Sequence, residues 1–233
     1  MIPLKDSTPR SSAPVITVAL IIVNSVVFLY QLTLPQRLEH TFFMIYAMTP
    51  ARVTHLIAAP GVPLQVALAP LFTSMFLHGG WLHLIGNMWF LWVFGDNVED
   101  RLGHFSYLIF YLVCGLGAGL SHLLFNLGST VPSLGASGAI SGVLGAYIVL
   151  YPRARVLTLM PLIIFWFTLE IPAFLVLGYW FAIQFFSGVA SVRMKQSAGV
   201  AWWAHIGGFL IGVLLVKIWP QRRMARAAYY EGY

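Results

Sequence analysis

The 233-residue chain is 59% hydrophobic and only 9% charged, and its mean hydropathy is +0.83. Ordinary soluble domains carry about a quarter charged residues, so this composition excludes a soluble globular protein and indicates lipid contact. The formal net charge of +6 fits basic residues that flank membrane spans and meet anionic lipids, and no known motif indicates nucleic-acid binding. The one cysteine, Cys114, lies in an apolar run and is expected to be a packing residue.

The N-terminal apolar run is predicted to be the first membrane span. Lys5 and Arg10 precede it, as basic residues precede the apolar part of a signal peptide. The run Val15–Leu32 is about 18 residues long, however, which is enough to cross a bilayer, and it lacks a small-x-small cleavage site. We therefore expect an uncleaved span after a cytoplasmic tail of residues 1–14.

Further apolar segments complete an all-α membrane protein, a predicted bundle of six transmembrane helices in one domain of residues 15–219. Residues 220–233 are expected to form a basic cytoplasmic tail. After the first span, the predicted spans are Trp81–Val98, Phe105–Phe125, Ser137–Tyr151, Glu170–Phe186 and Ala201–Trp219.

Two regions fit this pattern less well. Pro35–Leu77 is too broken by proline for a regular span and too apolar for a solvated loop, which favours an interfacial or partly inserted loop. Val156–Leu169 is apolar but interrupted by Pro161, and it is expected to extend the fifth span or to lie against its neighbours.

Loop charges predict the orientation of the bundle, because cytoplasmic loops are enriched in Lys and Arg. With both termini inside, nine basic residues lie inside and four outside. The inner set is Lys5, Arg10, Arg101, Arg153, Arg155, Lys217, Arg222, Arg223 and Arg226, and the outer set is Arg37, Arg52, Arg193 and Lys195.

Polar residues inside membrane spans are expensive, so each is a functional candidate. The fourth span begins with Ser137, between Gly135 and Gly138. A helix N-terminus offers free N–H groups and a positive dipole end, which would stabilise an oxyanion formed when Ser137 attacks a carbonyl. The alternative is a small-residue packing face in which Ser137 only caps the helix.

His205 near the start of the sixth span is the matching base. It shares a helix face with Gly208 and Gly212, and the fourth span carries Gly138 and Gly142 at the same spacing. Two such small-residue faces would let the helices approach closely and bring His205 within hydrogen-bond reach of Ser137. The alternative is a buried histidine bonded to a carbonyl.

A third polar pair, His83 and Asn87, lies four residues apart on the second span. Since spans two, four and six all start on the outer side, this pair is expected at the depth of Ser137, where an amide suits an oxyanion hole. The alternatives are hydrogen bonds to neighbouring helices or a metal site formed with His78 and His205. The metal site is disfavoured because no carboxylate or cysteine has ligand spacing.

No acid is expected beside His205, so the sequence predicts a Ser–His dyad without a metal or other cofactor. Glu170, the most tempting acid, starts a span on the inner side. Asp96, Glu99 and Asp100 are also on the inner side, and Glu99 and Arg101 are expected to form a polar cluster at the helix end.

Together these segments resemble the rhomboid family of intramembrane serine proteases. The resemblance covers about Val15 to Trp219, and three motifs carry it in the order expected for spans two, four and six. The motifs are His78-Gly79-Gly80-Trp81-Leu82-His83-Leu84-Ile85-Gly86-Asn87, Gly135-Ala136-Ser137-Gly138 and Ala204-His205-Ile206-Gly207-Gly208.

The resemblance implies a nucleophilic Ser137, a general base His205, and an oxyanion hole formed by Asn87, His83 and the Ser137 backbone N–H. It implies substrates that are single-span membrane proteins cut within or beside the transmembrane segment, and by analogy a prokaryotic plasma membrane. The oligomeric state stays open. A non-catalytic relative that binds transmembrane helices and a transporter or channel are the competing functions.

Two positions depart from the family. Many members have a Trp-Arg pair in the first outer loop, but Pro35–Leu77 contains no tryptophan. Some members have a tyrosine that stacks on the histidine one turn after the nucleophile, where this chain has Ser141. Trp202, Trp203 and Tyr147 are the candidates to orient His205 instead.

Overall fold

The computed structural model describes residues 1–162, 165–194 and 201–222. In chain order its elements are β1 (Ile2–Asp6), α1 (Val15–Thr33), α2 (Gln36–Tyr46), α3 (Pro50–Ala58), α4 (Leu64–Thr73), a 3₁₀ turn (Ser74–Phe76), α5 (Trp81–Leu102), α6 (His104–Phe125), α7 (Ser137–Leu150), β2 (Arg155–Leu162), β3 (Phe165–Pro172), α8 (Ala173–Met194) and α9 (Trp202–Ile218).

The predicted helical membrane bundle is confirmed, with helices α1, α5, α6, α7, α8 and α9 in the six predicted segments. Among the described residues, α1, α6 and the stretch Ala173–Ser191 are each long and apolar enough to cross a membrane. α5 meets that test together with the segment before it, at a bend of 82°.

α7 and α9 are shorter apolar helices. The 14 residues of α7 span about 21 Å, against a hydrocarbon core of about 30 Å. α7 is therefore shorter than the hydrocarbon core is thick.

The region Pro35–Leu77 is broken into short helices, in agreement with its irregular sequence. Pro35 and Pro63 directly precede α2 and α4, and Pro50 is the first residue of α3. Proline suits these positions because its φ is close to the helical value and the first helical N–H groups need no acceptor within the helix. The three short helices and the 3₁₀ turn lead the chain from α1 to α5.

The segment Val156–Leu169 does not extend the fifth helix, which was one of its two predicted arrangements. Its described residues belong to the antiparallel strands β2 and β3, in which Pro161 lies opposite Trp166. A proline would interrupt a helix but is tolerated in a strand where its missing N–H is not needed. As a consequence Glu170 lies in β3 rather than at the start of the fifth helix, and α8 begins at Ala173.

The N-terminal segment is also more ordered than a free tail. β1 pairs antiparallel with β2, so the described residues contain a three-stranded sheet in the order β1-β2-β3. The Asp6 carboxylate accepts hydrogen bonds from Tyr147 Oη at 2.5 Å and from Asn97 Nδ2 at 2.8 Å. These contacts attach the segment to α5 and α7. In the predicted C-terminal tail, residues 223–233 lie outside the described residues.

Polar contacts surround the end of α5, where Glu99 and Arg101 were predicted to cluster, but the two residues have different partners: Arg101 donates to the Arg222 carbonyl oxygen at 3.0 Å. The fully buried Glu99 carboxylate accepts the backbone N–H groups of Ile16 at 2.8 Å and Thr17 at 2.7 Å, and it contacts His104 Nδ1 at 2.6 Å. The first N–H groups of α1 have no acceptor within the helix, and the carboxylate satisfies two of them. This cluster, the sheet and the C-terminal end of α7 lie at the same end of the bundle. Ser137, at the N-terminal end of α7, lies at the opposite end.

Candidate active site

Ser137 and His205 lie in direct contact, although 68 residues separate them in the sequence. Ser137 is the first residue of α7, and His205 lies in the first turn of α9. His205 Nε2 lies 2.7 Å from Ser137 Oγ. If Nε2 carries no proton, the serine O–H donates to it, which is the arrangement that a serine nucleophile and its base require.

The two helices can bring these residues together because glycines remove side chains from the interface. A Cβ built on Gly208 would collide with the carbonyl oxygen of Gly138, and one built on Gly212 would collide with the carbonyl oxygen of Gly142. The small-residue faces named from the sequence therefore lie against each other, backbone to backbone. This close approach sets the separation of Ser137 and His205.

Gly135 allows a similarly close approach between the loop before α7 and helix α5. Its φ of 123° lies in a region that favours glycine. A Cβ at this position would lie 2.7 Å from His83 Nε2 and 3.5 Å from Asn87 Nδ2. The loop can therefore lie directly on the two polar side chains of α5, just before the chain reaches Ser137.

His83 and Asn87 present donors toward this loop. Asn87 is 8% exposed, and its Nδ2 has no hydrogen-bond partner among the described residues. His83 Nδ1 lies 3.5 Å from the backbone N of Gly79, a long hydrogen bond in which the imidazole accepts. In that arrangement the proton of His83 is on Nε2, which faces Gly135. With the free N–H groups at the start of α7, these donors could surround an oxyanion.

The other nitrogen of His205 is bonded to a residue that the sequence did not single out. His205 Nδ1 lies 2.7 Å from Gln184 Oε1 on α8. Two indole rings also contact the imidazole, with ring centroids 5.9 Å away for Trp180 and 6.4 Å away for Trp202. A glutamine among apolar residues in a predicted span is the signal that could have identified this contact, since buried amides need partners.

Of the three aromatic residues expected to orient His205, Trp202 contacts it. Trp203 instead stacks on Phe125 with a centroid distance of 4.0 Å, and Tyr147 is bonded to Asp6 near the other end of α7. Ser141, where some relatives have tyrosine, donates its hydroxyl to the Ser137 carbonyl oxygen at 2.6 Å. It therefore binds its own helix.

The described acids lie in other parts of the bundle. Glu170 is exposed and lies 3.9 Å from Arg155 on the adjacent strand, while Asp96 bonds Arg10 at 3.1 Å. Within the described ranges, no group of three or more His, Cys, Asp or Glu residues could hold a metal ion. His78, a member of the alternative metal site, is buried and contacts His83 with ring centroids 5.2 Å apart.

A cavity of about 590 Å³ opens beside this constellation. His83 and His122 line it together with the loop before α7 and the start of α9, including Trp202. Ser137 and His205 are not among its lining residues, and the cavity reaches the site at His83.

Comparison with known proteins identifies the family of the chain. The rhomboid domain matches residues 66–222, more than half of the chain and all three motif-bearing helices. The chain belongs to the rhomboid family.

Curated relatives of this rhomboid include organellar proteins. It is 33% identical over 151 residues to Rhomboid protein 1, mitochondrial, of Saccharomyces cerevisiae, covering 60% of this chain and 39% of the relative. It is 32% identical over 157 residues to Rhomboid-like protein 11, chloroplastic, of Arabidopsis thaliana, covering 62% and 50%. Presenilin-associated rhomboid-like protein, mitochondrial, of Homo sapiens is 28% identical over 184 residues, covering 72% and 43%. The matches thus span half or less of each of these relatives.

Packing of α7 against α9 predicts the effect of adding one methyl group to this rhomboid. Gly208→Ala should lower the free energy of unfolding by about 1–3 kcal/mol, because the methyl group would overlap the Gly138 carbonyl oxygen. Unfolding in mixed micelles measures the change. Gly178→Ala on α8 is the matched control, since a Cβ there meets no atom within 4 Å. Equal stability of both variants would contradict the proposed close approach.

Proposed function

We propose that this rhomboid is an intramembrane serine endopeptidase in which Ser137 is the nucleophile and His205 the general base. The observation that carries the proposal is the 2.7 Å contact between Ser137 Oγ and His205 Nε2. The serine starts α7, and Gly135 in the loop before it lies against the unpaired amide donor of Asn87. Nucleophile, base and oxyanion donors within one site are the parts that acyl transfer needs.

In the first step, Ser137 Oγ attacks the carbonyl carbon of the scissile peptide bond as its proton moves to His205 Nε2. A C–O bond forms, and the carbonyl becomes an oxyanion. The imidazolium then gives that proton to the nitrogen of the leaving amine, and the C–N bond breaks. This sequence leaves an acyl group on Ser137 and a neutral His205.

The oxyanion would be held by three donors of different kinds. The Ser137 backbone N–H lies at the positive end of the α7 dipole, Asn87 Nδ2 supplies a neutral amide, and His83 Nε2 supplies an imidazole N–H. None of these groups carries a formal charge in this state, which suits a site inside the membrane where a permanent charge is expensive.

Hydrolysis of the acyl group repeats the cycle with water as the nucleophile. His205 takes a proton from the water as its oxygen attacks the ester carbon, and then returns the proton to Ser137 Oγ as the ester bond breaks. The water would come through the cavity beside His83. A cavity that opens beside the site would supply this water while the rest of the bundle stays in lipid.

The expected substrates are membrane proteins cut within or beside a transmembrane segment, because a chain held in the bilayer can present a segment at the depth of Ser137. Small residues and weak helicity near the cut would help, since a helical carbonyl is shielded by its hydrogen bond. A prokaryotic plasma membrane with both termini inside remains a prediction from the sequence. The mitochondrial and chloroplastic relatives give that location no support.

A cleavage assay in proteoliposomes with a single-span substrate tests the proposal. Ser137→Ala and His205→Ala should each reduce the cleavage rate at least about 10³-fold, since nucleophile and base act as a unit. Ser141→Ala, one turn further along α7, and His40→Ala in α2 are matched controls that should retain activity. Cleavage by Ser137→Ala at the rate of the unaltered protein would contradict a serine mechanism.

Asn87→Ala tests the oxyanion site separately. Loss of one donor to an oxyanion should lower kcat about 10²–10³-fold with little change in KM, because the donor acts mainly in the transition state. Asn24→Ala is the control for loss of a buried amide, since Asn24 Nδ2 bonds the Leu20 carbonyl oxygen within α1. Steady-state kinetics that show equal kcat for Asn87→Ala and Asn24→Ala would remove Asn87 from the oxyanion hole.

A further inference from the structure

We propose that Gln184 is a positioning residue that selects the productive tautomer of His205, an inference that rests on the proposed function. Gln184 lies on α8, is 7% exposed and directs its amide oxygen at His205 Nδ1 over 2.7 Å. An amide oxygen can only accept a hydrogen bond, so Nδ1 must carry the imidazole proton. Nε2 then keeps its lone pair and can accept the proton of Ser137.

The two ring nitrogens of His205 have opposite hydrogen-bonding roles, one as acceptor and one as donor. Nε2 is the acceptor 2.7 Å from Ser137 Oγ, and Nδ1 is the donor 2.7 Å from Gln184 Oε1. The chain Ser137–His205–Gln184 therefore runs through α7, α9 and α8 with one direction of donation. With the amide oxygen held toward Nδ1, a neutral imidazole in the other tautomer would break both hydrogen bonds, so the glutamine in this orientation favours the base form that the reaction needs.

The neighbouring aromatic residues cannot make this selection. Trp180 precedes Gln184 by one helical turn and is tilted by 40° relative to the His205 ring, while Trp202 meets that ring edge-on at 89°. Ring contacts of this kind limit the orientation of an imidazole through packing. They do not distinguish the protonation of Nδ1 from that of Nε2, which only a hydrogen-bonding partner does.

A neutral partner also suits the site better than an acid. A carboxylate at this position would be desolvated within the bundle, and its charge would be compensated only while His205 is an imidazolium. The amide fixes the tautomer without burying a charge, but it lacks the negative charge that would stabilise the imidazolium formed during catalysis. Gln184 is thus expected to act on the ground-state arrangement of His205 rather than on charge in the transition state.

Two substitutions at Gln184 separate the orientation of His205 from the stabilisation of its imidazolium charge in the proteoliposome assay. Gln184→Met has a similar size but no acceptor, and it should lower kcat about 10–100-fold at unchanged KM. Gln184→Glu keeps the acceptor and adds a charge that stabilises the imidazolium. Because the reaction needs neutral His205, this variant should shift the acidic limb of the pH–rate profile to higher pH and retain activity above that limb. A purely structural role would not move the limb.

Gln65→Met on α4, where the side chain is exposed, is the control and should match the unaltered protein. A kcat for Gln184→Met equal to or above that of the unaltered protein would overturn the inference, as would an unshifted profile for Gln184→Glu. The glutamate variant decides the matter if the methionine variant does not fold. Absence of cleavage by the unaltered protein, or cleavage by Ser137→Ala, would instead refute the proposed function.

Discussion

The close contact between α7 and α9 is the constraint on which the rest of the site depends. Carbonyl oxygens of Gly138 and Gly142 lie where a side chain at Gly208 or Gly212 would be. In lipid, helices gain little from the hydrophobic effect when they associate, so close backbone packing is a main source of their affinity. The same packing fixes the first residue of one helix against the first turn of the other. A contact between reactive side chains is therefore a consequence of helix packing.

The second constraint is the cost of polar groups in a membrane. The bundle meets it by pairing most of them. The carboxylate of Glu99 accepts hydrogen bonds from the backbone N–H groups of Ile16 and Thr17 at the start of α1, and both ring nitrogens of His205 have hydrogen-bond partners. The amide Nδ2 of Asn87 is one of several buried polar atoms without a hydrogen-bond partner in the described part of the chain, and it lies against Gly135 in the loop before Ser137. A donor kept free near a nucleophile fits an acceptor that appears only during reaction.

Much of this arrangement follows from the sequence, because long apolar runs and paired glycines have few interpretations in a membrane. The segment Val156–Leu169 was harder, since a short apolar run with a proline fits either a strand or an interrupted helix. Pairing of β1 with β2 joins residues about 150 positions apart, which no local pattern encodes. The partner of His205 was also missed. Gln184 lies in an apolar run, and only the packing of α8 on α9 reveals which residue its amide faces.

Mapping the site of a covalent adduct tests the central claim most directly. A fluorophosphonate reacts with an activated serine, and peptide mass spectrometry of the treated protein identifies the modified residue. The account predicts one adduct per chain, on Ser137, and strongly reduced labelling of His205→Ala, because the serine loses its base. An adduct on another residue, or undiminished labelling of Ser137→Ala, would contradict the assignment of Ser137 as the nucleophile.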